Sequence, residues 1–432
     1  MSAQAFLVAG LGFGDEGKGA TVDYLVRKHK AAVAVRFNGG AQAAHNVVAP
    51  DGSHHTFQQF GSGTLANQTA TYLSRFVAVN PLNMRKEAEA LFQLGIRNPY
   101  ERMYIDESAL VTTPYHVAAN RLREWMRSKR HGSCGLGVGE TFEDFRLFGD
   151  YAIRVSDLLK PKVLARKLAA LRMRKLMSLG SDVMLAEKTH LVGCLELLTT
   201  SDKMANLIAD YMNFARRVQI VGPEKLRDLS FGGPMVFEGA QGVLLDAKYG
   251  FYPHVTKSNT TFANAEKILE DICFQGSVSK IGVLRSYATR HGAGPFVTED
   301  ASLKKSLPEP HNAAGQWQGK FRVGWFDAVS AKYAGEIIGP LDEIALTFAD
   351  RLSELPKLQI CTSYTDCELK LGLAEEERIN QTQKLFQTKA IYEDVGGIKR
   401  YLQRLQEICP APIGTIGLGP KSCDRKEISG LS

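Results

Sequence analysis

The chain has 432 residues, 44% hydrophobic and 23% charged, with a formal net charge of +7 at pH 7. That length carries a large core and that composition is ordinary for a globular protein, while the mild positive charge suits small anionic substrates. No Lys/Arg run interleaved with aromatics argues for nucleic acid, and no apolar run reaches the roughly 18 residues that would span a membrane. The N-terminus enters an apolar strand with no signal peptide. Seven cysteines without a C-x-x-C pair fit reduced thiols in the cytoplasm rather than structural zinc.

Ala5-Phe6-Leu7-Val8-Ala9 predicts a buried strand, and Ala20 to Val26 carries apolar residues at helical spacing. Between them lies Ala9-Gly10-Leu11-Gly12-Phe13-Gly14-Asp15-Glu16-Gly17-Lys18-Gly19. Strand, glycine loop and helix together turn backbone N–H groups toward a phosphate at the helix N-terminus. Gly12 to Lys18 fits G-x-x-x-x-G-K, but Gly19 stands where that pattern puts the magnesium-binding Ser or Thr. A bare glycine loop is equally a tight turn. Asp15 and Glu16 inside it would repel a phosphate, so each needs a reason, as a metal ligand or a base. The octapeptide Gly12 to Gly19 resembles the Gly-Asp-Glu-Gly-Lys-Gly signature of adenylosuccinate synthetases, and later blocks repeat the resemblance in order.

Val33 to Phe37 predicts the second strand and runs into Asn38-Gly39-Gly40-Ala41-Gln42-Ala43-Ala44-His45-Asn46. The family has Gly-Gly-His-Asn-Ala-Gly-His-Thr here, which puts His45 on the second His, the one that acts as an acid. Ala41, Gln42 and Ala44 depart from the pattern. Gln42 still donates an amide hydrogen bond, and Ala44 offers its carbonyl to a metal wherever φ stays negative. His54 and His55 read as solvated turn residues. Phe60 to Leu65 reads as a structural loop beside the site.

The middle, about 82–221, is helix-rich, with helical periodicity over Asn83 to Leu94, His116 to Arg127, Val163 to Met177 and Leu195 to Arg217. Met173 and Met177 read as core, and the basic stretch Arg166 to Arg174 as a solvated face. His131-Gly132-Ser133-Cys134-Gly135-Leu136-Gly137 is a surface loop by composition. It is similar to the family's Thr-Thr-Gly-Arg-Gly-Ile-Gly-Pro loop for a 5′-phosphate. Ser133 keeps a hydroxyl there, and Cys134 keeps its backbone N–H with a weak S–H donor. The family's next Arg reaches the partner subunit's nucleotide; Arg146 is the candidate, with Arg154 as an alternative.

Met235 to Gly242 is a strand ending in Gly239-Ala240-Gln241-Gly242, followed by Thr256 to Thr261. By resemblance, Gln241 lies near the purine and Thr256 at its phosphate. Ile281 to Tyr287 predicts a further strand, leading to Thr289-Arg290-His291-Gly292-Ala293-Gly294, a site wall in the family; His291 replaces an apolar residue and has no assigned role. From His311 to Asp327 the resemblance weakens. Of the family's arginine-rich loop for the amino acid, only Lys320 and Arg322 remain cationic, and Arg is what a dicarboxylate favours. Asp350, after Ile344 to Ala349, matches the Asp that accepts from guanine N1–H and the 2-amino group. Phe348 replaces a Lys whose stem covers the base, where an aromatic stacks instead. Gly419 and Pro420 match the segment that closes over the guanine.

These patterns predict an α/β fold, P-loop-like, with a largely parallel central sheet, a helix-rich middle insertion and a single domain over 1–432. The resemblance implies a homodimeric ligase that condenses L-aspartate with IMP at the expense of GTP and Mg²⁺. Asp15, Lys18, His45 and Gln241 would be catalytic. GTP would meet Gly14, Asp15, Glu16, Gly17, Lys18, Gly19, His45, Asn46, Arg322, Asp350, Gly419 and Pro420. The purine nucleotide would meet Asp15, Gln42, Ser133, Cys134, Arg146, Gln241 and Thr256; aspartate would meet Lys320 and Arg322; the metal would meet Asp15 and Ala44. A paralogue acting on a 2-amino-6-oxopurine nucleotide such as dGMP, and a non-catalytic nucleotide-binding regulator, are the alternatives. Asp15 favours hypoxanthine over the first, and the joint retention of Asp15, Lys18, His45 and Gln241 counts against the second.

Overall fold

The computed structural model describes residues 3–66, 69–127, 132–309, 317 and 319–428. Strand β1 (Gln4–Gly10) is central, and residues 5–9 are at most 5% exposed. Alternation sends Ala5, Leu7 and Ala9 into one core cluster and Phe6 and Val8 into another, where they meet Val22, Leu25 and Val26 of helix α1 (Lys18–His29). Each such buried side chain is worth about 1.5–3 kcal/mol, so β1 and α1 fix each other.

In chain order β2 (Val33–Arg36), the hairpin β3 (His45–Val48) with β4 (His54–Phe57), and β5 (Ala70–Leu73) follow. The main sheet has ten strands, in the order Arg425–Glu427, Ile413–Gly417, Glu343–Thr347, Ser277–Arg285, β1, Met235–Gly242, β2, β5, Met103–Asp106, Gln219–Val221. Every neighbouring pair is parallel except the first, which is antiparallel. Parallel strands leave all their carboxyl ends on one edge, where open α/β sheets bind ligands. The glycine loop, Asn38, Asp350 and Gly419 follow such ends, and Gln241 and Arg285 are in the last two residues of their strands.

The helix-rich region is built from α2 (Pro81–Gln93), α3 (Pro114–Met126), α4 (Val138–Phe148), α5 (Pro161–Leu179), α6 (Val192–Thr199) and α7 (Met204–Arg217), packed around their own apolar cluster. Leu195 to Arg217 is therefore two helices. Thr199 and Thr200 turn their hydroxyls back onto the carbonyls of Leu195 and Glu196, which ends α6. Met173 and Met177 are 46% and 77% exposed, not core: α5 buries Leu164, Leu168, Leu171, Lys175 and Leu179 on its other face. Within the basic stretch Arg166 is solvated, but Lys167 pairs with Asp157 and Arg172 donates to the Leu198 carbonyl. His54 and His55 lie on β4 rather than in a turn, and His55 is buried edge-on to Phe57. All seven cysteines are free, and no helix among the described residues is long and apolar enough to cross a membrane.

Candidate active site

Gly17 caps α1 in the left-handed region, at φ 89°, with no side-chain cap among the described residues. Glu16 is turned the other way. Its buried carboxylate accepts from the amides of Gly12 (3.0 Å) and Gly14 (2.8 Å) and from Lys18 Nζ (2.5 Å). Three glycines make that cradle: a Cβ at Gly10, Gly12 or Gly242 would stand 2.2, 3.1 or 2.4 Å from the carboxylate. The side chain of Glu16 is thus neither base nor metal ligand here; it holds the loop and Lys18.

Asp15 stays at the mouth, one quarter exposed, with φ 60°. Burial pushes its carboxyl up, but His291, Lys18 and Arg285 outweigh that and hold it below the usual carboxylate value. Gln241 (φ 66°) and Phe348 (φ 58°) also take positive φ. Strained backbone that the surroundings over-determine marks functional sites, and Gln241 stands directly across from Gly14.

His45 is presented by β3 with its Nδ1 on Glu238, a residue that sequence reasoning did not single out. Glu238 also accepts from the Ser62 amide (2.9 Å) and hydroxyl (2.5 Å), and Arg36, its register neighbour on β2, lies 3.9 Å away. Burial pushes Glu238 up, but Arg36, His45 and Ser62 hold it at about 2. An ionised Glu238 requires the proton on His45 Nδ1, which leaves Nε2 as the free edge. Burial outweighs Glu238 in setting His45, which stays below the ordinary histidine value. Lys18 acts electrostatically on both Asp15 and His45. A Cβ on Gly19 would lie 2.8 Å from the His45 Cβ, which explains why no Ser or Thr stands at that position.

A second cradle lies beside the first. Asn38 bonds the Ala240 amide and carbonyl and the Asn259 carbonyl, fixing the turn that carries Gln241. Ser258 donates to Gln241 Oε1 (3.1 Å) and contacts Thr256 Oγ1 (3.2 Å). Both polar atoms of the Gln42 side chain are buried without a hydrogen-bond partner among the described residues. Ser133 to Gly137 leads into α4, whose N-cap Gly137 also has no side-chain cap among the described residues. Ser133 Oγ pairs with Asn120, and burial pushes the Cys134 thiol up. Val138 of α4 lies by Gly40, and Lys257 lies by Gly139, so the Gln42, Thr256 and Ser133 segments converge. Arg146 is exposed and bound to Glu143, while Arg154 reaches the Ser108 carbonyl and Asp150.

On the other side of the loop, Thr347 Oγ1 donates to the Glu16 carbonyl (2.7 Å). Asp350 is half-buried, which pushes its carboxyl up, with Asp424 of the Gly419 turn adding to the push; no side-chain donor reaches it among the described residues. Gly419 is required by Asp424, whose carboxylate would lie 2.4 Å from a Cβ there; Pro420 follows in the same turn. The Phe348 ring takes the Arg285 guanidinium on its face at 3.7 Å, so a stacking base is left at most the other face. Two further candidates are committed elsewhere. Asn46 Oδ1 accepts from His54 and Thr56 within the hairpin, and Arg322 holds Glu299 (2.9 Å) and the Gly294 carbonyl (2.8 Å). Lys320 is exposed. Residues 128–131, 310–316 and 318, which include His131, His311 and Gln318, lie outside the described residues.

Among the described residues no cluster of three His, Cys, Asp or Glu could enclose a metal. One carboxylate, Asp15, and the exposed Ala44, which does not take a positive φ, are the donors at hand. That set fits magnesium, which keeps waters and binds one or two carboxylates together with substrate phosphates.

A parallel α/β sheet with a phosphate-facing glycine loop and a carboxylate-backed histidine defines a nucleotide-handling enzyme site. The adenylosuccinate synthetase family profile matches residues 7–426. The adenylosuccinate synthetase of Clostridium beijerinckii is 30% identical over 447 aligned positions, covering 99% of this chain and 100% of that one. That of Neisseria meningitidis serogroup C is 31% identical, covering 98% of each. Two solved structures share the fold. Fully ligated adenylosuccinate synthetase from Plasmodium falciparum has a TM-score of 0.79 at 24% identity, over 98% of this chain and 99% of that one. Cyanophage S-2L succinoaminodeoxyadenylate synthetase, bound to dGMP and dATP, has a TM-score of 0.61 at 17% identity, over 100% and 97%. The chain is a divergent member of the adenylosuccinate synthetase family of ligases.

Proposed function

We propose that this protein condenses L-aspartate with C6 of a 6-oxopurine mononucleotide at the expense of GTP, with IMP as substrate and N6-succinyl-AMP, GDP and phosphate as products. The observation that carries the reading is the placement of Asp15 and His45 around Lys18 at the open N-terminus of α1, with His45 oriented by Glu238. Asp15, held ionised, takes the N1 proton and leaves an oxyanion at O6. The O6 oxyanion attacks the γ-phosphorus of GTP, and GDP leaves. Positioning and charge neutralisation do most of this work. The loop amides and Lys18 steady the phosphates once Lys18 exchanges Glu16 for them. The arriving polyanion favours protonation of His45, whose Nε2–H then donates to the moving phosphoryl group. Magnesium held by Asp15 and the Ala44 carbonyl supplies further charge neutralisation when bound. The aspartate amine then displaces phosphate from C6.

Gln42, Ser133, Cys134, Gln241 and Thr256 would hold the purine nucleotide, Asp350 with Gly419 and Pro420 the guanine of GTP, and Lys320 a carboxylate of aspartate. A cytoplasmic homodimer belongs to the same reading. Phe145, Leu147 and Tyr151, exposed beside Arg146, support an interface there. A panel of IMP, dIMP, GMP and dGMP with GTP or ATP and aspartate, read by absorbance and mass, tests the reaction. Aspartate-dependent release of phosphate with a succinylated nucleotide is expected. Nucleotide binding without aspartate-dependent turnover would leave a binding protein instead.

A further inference from the structure

The strand Phe321–Gly324 pairs antiparallel with Ala288–His291, and the carbonyl of Lys320, just before it, accepts from the Gly292 amide (3.1 Å). His291 in turn stands 3.7 Å from Asp15. Lys320 therefore begins the wall beside Asp15, where the amine of the proposed reaction has to arrive.

An amine bearing two carboxylates needs a charged partner for each if both are to be recognised. The cations near this wall are nearly all engaged. Arg322 holds Glu299 and the Gly294 carbonyl. Arg290, opposite it across the strand pair, is 1% exposed and donates to the carbonyls of Ala293, Pro295 and His254. Arg285 is bound to Glu309 and Tyr287, and Lys18 to Glu16. The stretch 310–319 contains no Lys or Arg, with His311 its one basic side chain. Lys320 is exposed, and among the described residues no ion pair engages it.

We propose that the site pairs only one carboxylate of its amine substrate, through Lys320, so that monocarboxylic amino acids replace aspartate as the nucleophile. This rests on the proposed ligase reaction and leaves its chemistry unchanged. The nitrogen–C6 bond forms, the C6–O bond of the phosphorylated purine breaks, and phosphate leaves with the electron pair. Of the three ammonium hydrogens one stays on nitrogen, one goes to phosphate and one to water. A site that pairs both carboxylates rejects an amine lacking one by a factor of about 10⁴ or more. A carboxylate left in water is barely read, and the factor falls to about tenfold or less.

The test supplies L-aspartate, L-asparagine and β-alanine to the whole protein with IMP and GTP at pH 8, where an ordinary imidazole is neutral. Phosphate release and the mass of the N6-substituted nucleotide give kcat/KM. Calorimetry with IMP and a non-hydrolysable GTP analogue gives the affinity for each amine. L-Asparagine, which keeps the α-carboxylate, or β-alanine, which keeps the other, should come within about tenfold of aspartate in both measurements. Lys320→Met should raise KM for aspartate and for that monocarboxylate by the same factor, about fivefold or more, with kcat moving less. A preference for aspartate of more than about tenfold over both would overturn the proposal, as would binding of none of the three. So would a Lys320→Met protein that loses aspartate while keeping the monocarboxylate. Matched affinities without turnover would support the single pairing while sinking the ligase reading, and turnover with aspartate alone would do the reverse.

Discussion

Glu238 receives the Nδ1 hydrogen of His45 across 193 positions of sequence while its other oxygen takes the Ser62 amide. The pair therefore joins the centre of the sheet to the base of the β3–β4 hairpin. The fall of Glu238 from 4.5 to about 2 corresponds to about 3 kcal/mol, an order-of-magnitude figure for so coupled a group. Because the folded value is depressed, that contribution is complete above about pH 4.5 and is lost as pH falls toward 2. Glu238→Gln should lower stability at pH 7 and cut turnover by at least tenfold. Denaturant titrations of both proteins at pH 7 and pH 3 should show the gap in stability narrowing at the lower pH; a gap of constant size would mean that Glu238 is not ionised in the native state.

Gly19→Ser would restore the usual glycine-loop motif, yet the expected result is loss of activity. The new Cβ meets the His45 Cβ at 2.8 Å and the Ser62 hydroxyl at 3.1 Å. Overpacking of this kind costs about 1–3 kcal/mol and shifts His45 from its place on Glu238. Turnover should drop at least tenfold in a protein that still folds, as read by circular dichroism beside the rate assay. A fully active Gly19→Ser protein would show that the close approach is not needed.

Asp15→Asn keeps the shape of the side chain and removes the proposed base. Base catalysis contributes roughly 10²–10⁴ in rate, so turnover should be abolished or nearly so while nucleotide affinity changes little. Near-normal turnover would take Asp15 out of the proton transfer.

Asp350 should make the chain prefer GTP to ATP. Adenine presents a lone pair and a C–H where guanine presents two donors, and a buried acceptor left unpaired costs about 1–3 kcal/mol. With Arg285 on one face of Phe348, the lower part of the resulting range is expected, roughly tenfold. Asp350→Asn should shrink the preference. Equal kcat/KM for GTP and ATP in the unmodified chain would remove Asp350 from base recognition.

The fold was legible in the sequence, because an apolar strand, a glycine loop and a helix at these spacings leave few alternatives, and so were the segments of the candidate site that gather at the strand ends. Other features depended on neighbours far along the chain. Glu238 did carry a signal, a charge inside the otherwise apolar run Met235-Val236-Phe237, which demands a buried partner. The distinct duties of Asp15 and Glu16 could not be told apart from two adjacent carboxylates; the direction of each depends on the φ of 60° at Asp15 and on the glycines around Glu16. Asn46 and Arg322 have suitable chemistry, but the hairpin and Glu299 hold them. Met173 and Met177 sit at helical spacing with each other, yet α5 turns its leucine stripe inward instead.

The seat that Glu16 occupies among Gly12, Gly14 and Lys18 means that the resting loop already carries an anion of its own. Capture of a triphosphate is then an exchange rather than an addition, and the incoming group has to replace every contact that Glu16 gives up. A lone sulfate or inorganic phosphate does little more than replace them, whereas a triphosphate also reaches the first turn of α1, so the loop is guarded against the small anions around it. Thermal shifts with sulfate should be small for the unmodified chain and larger for Glu16→Gln; equal shifts would mean the seat is not guarded. Selectivity for a polyphosphate would thus begin with a residue that need never touch the nucleotide.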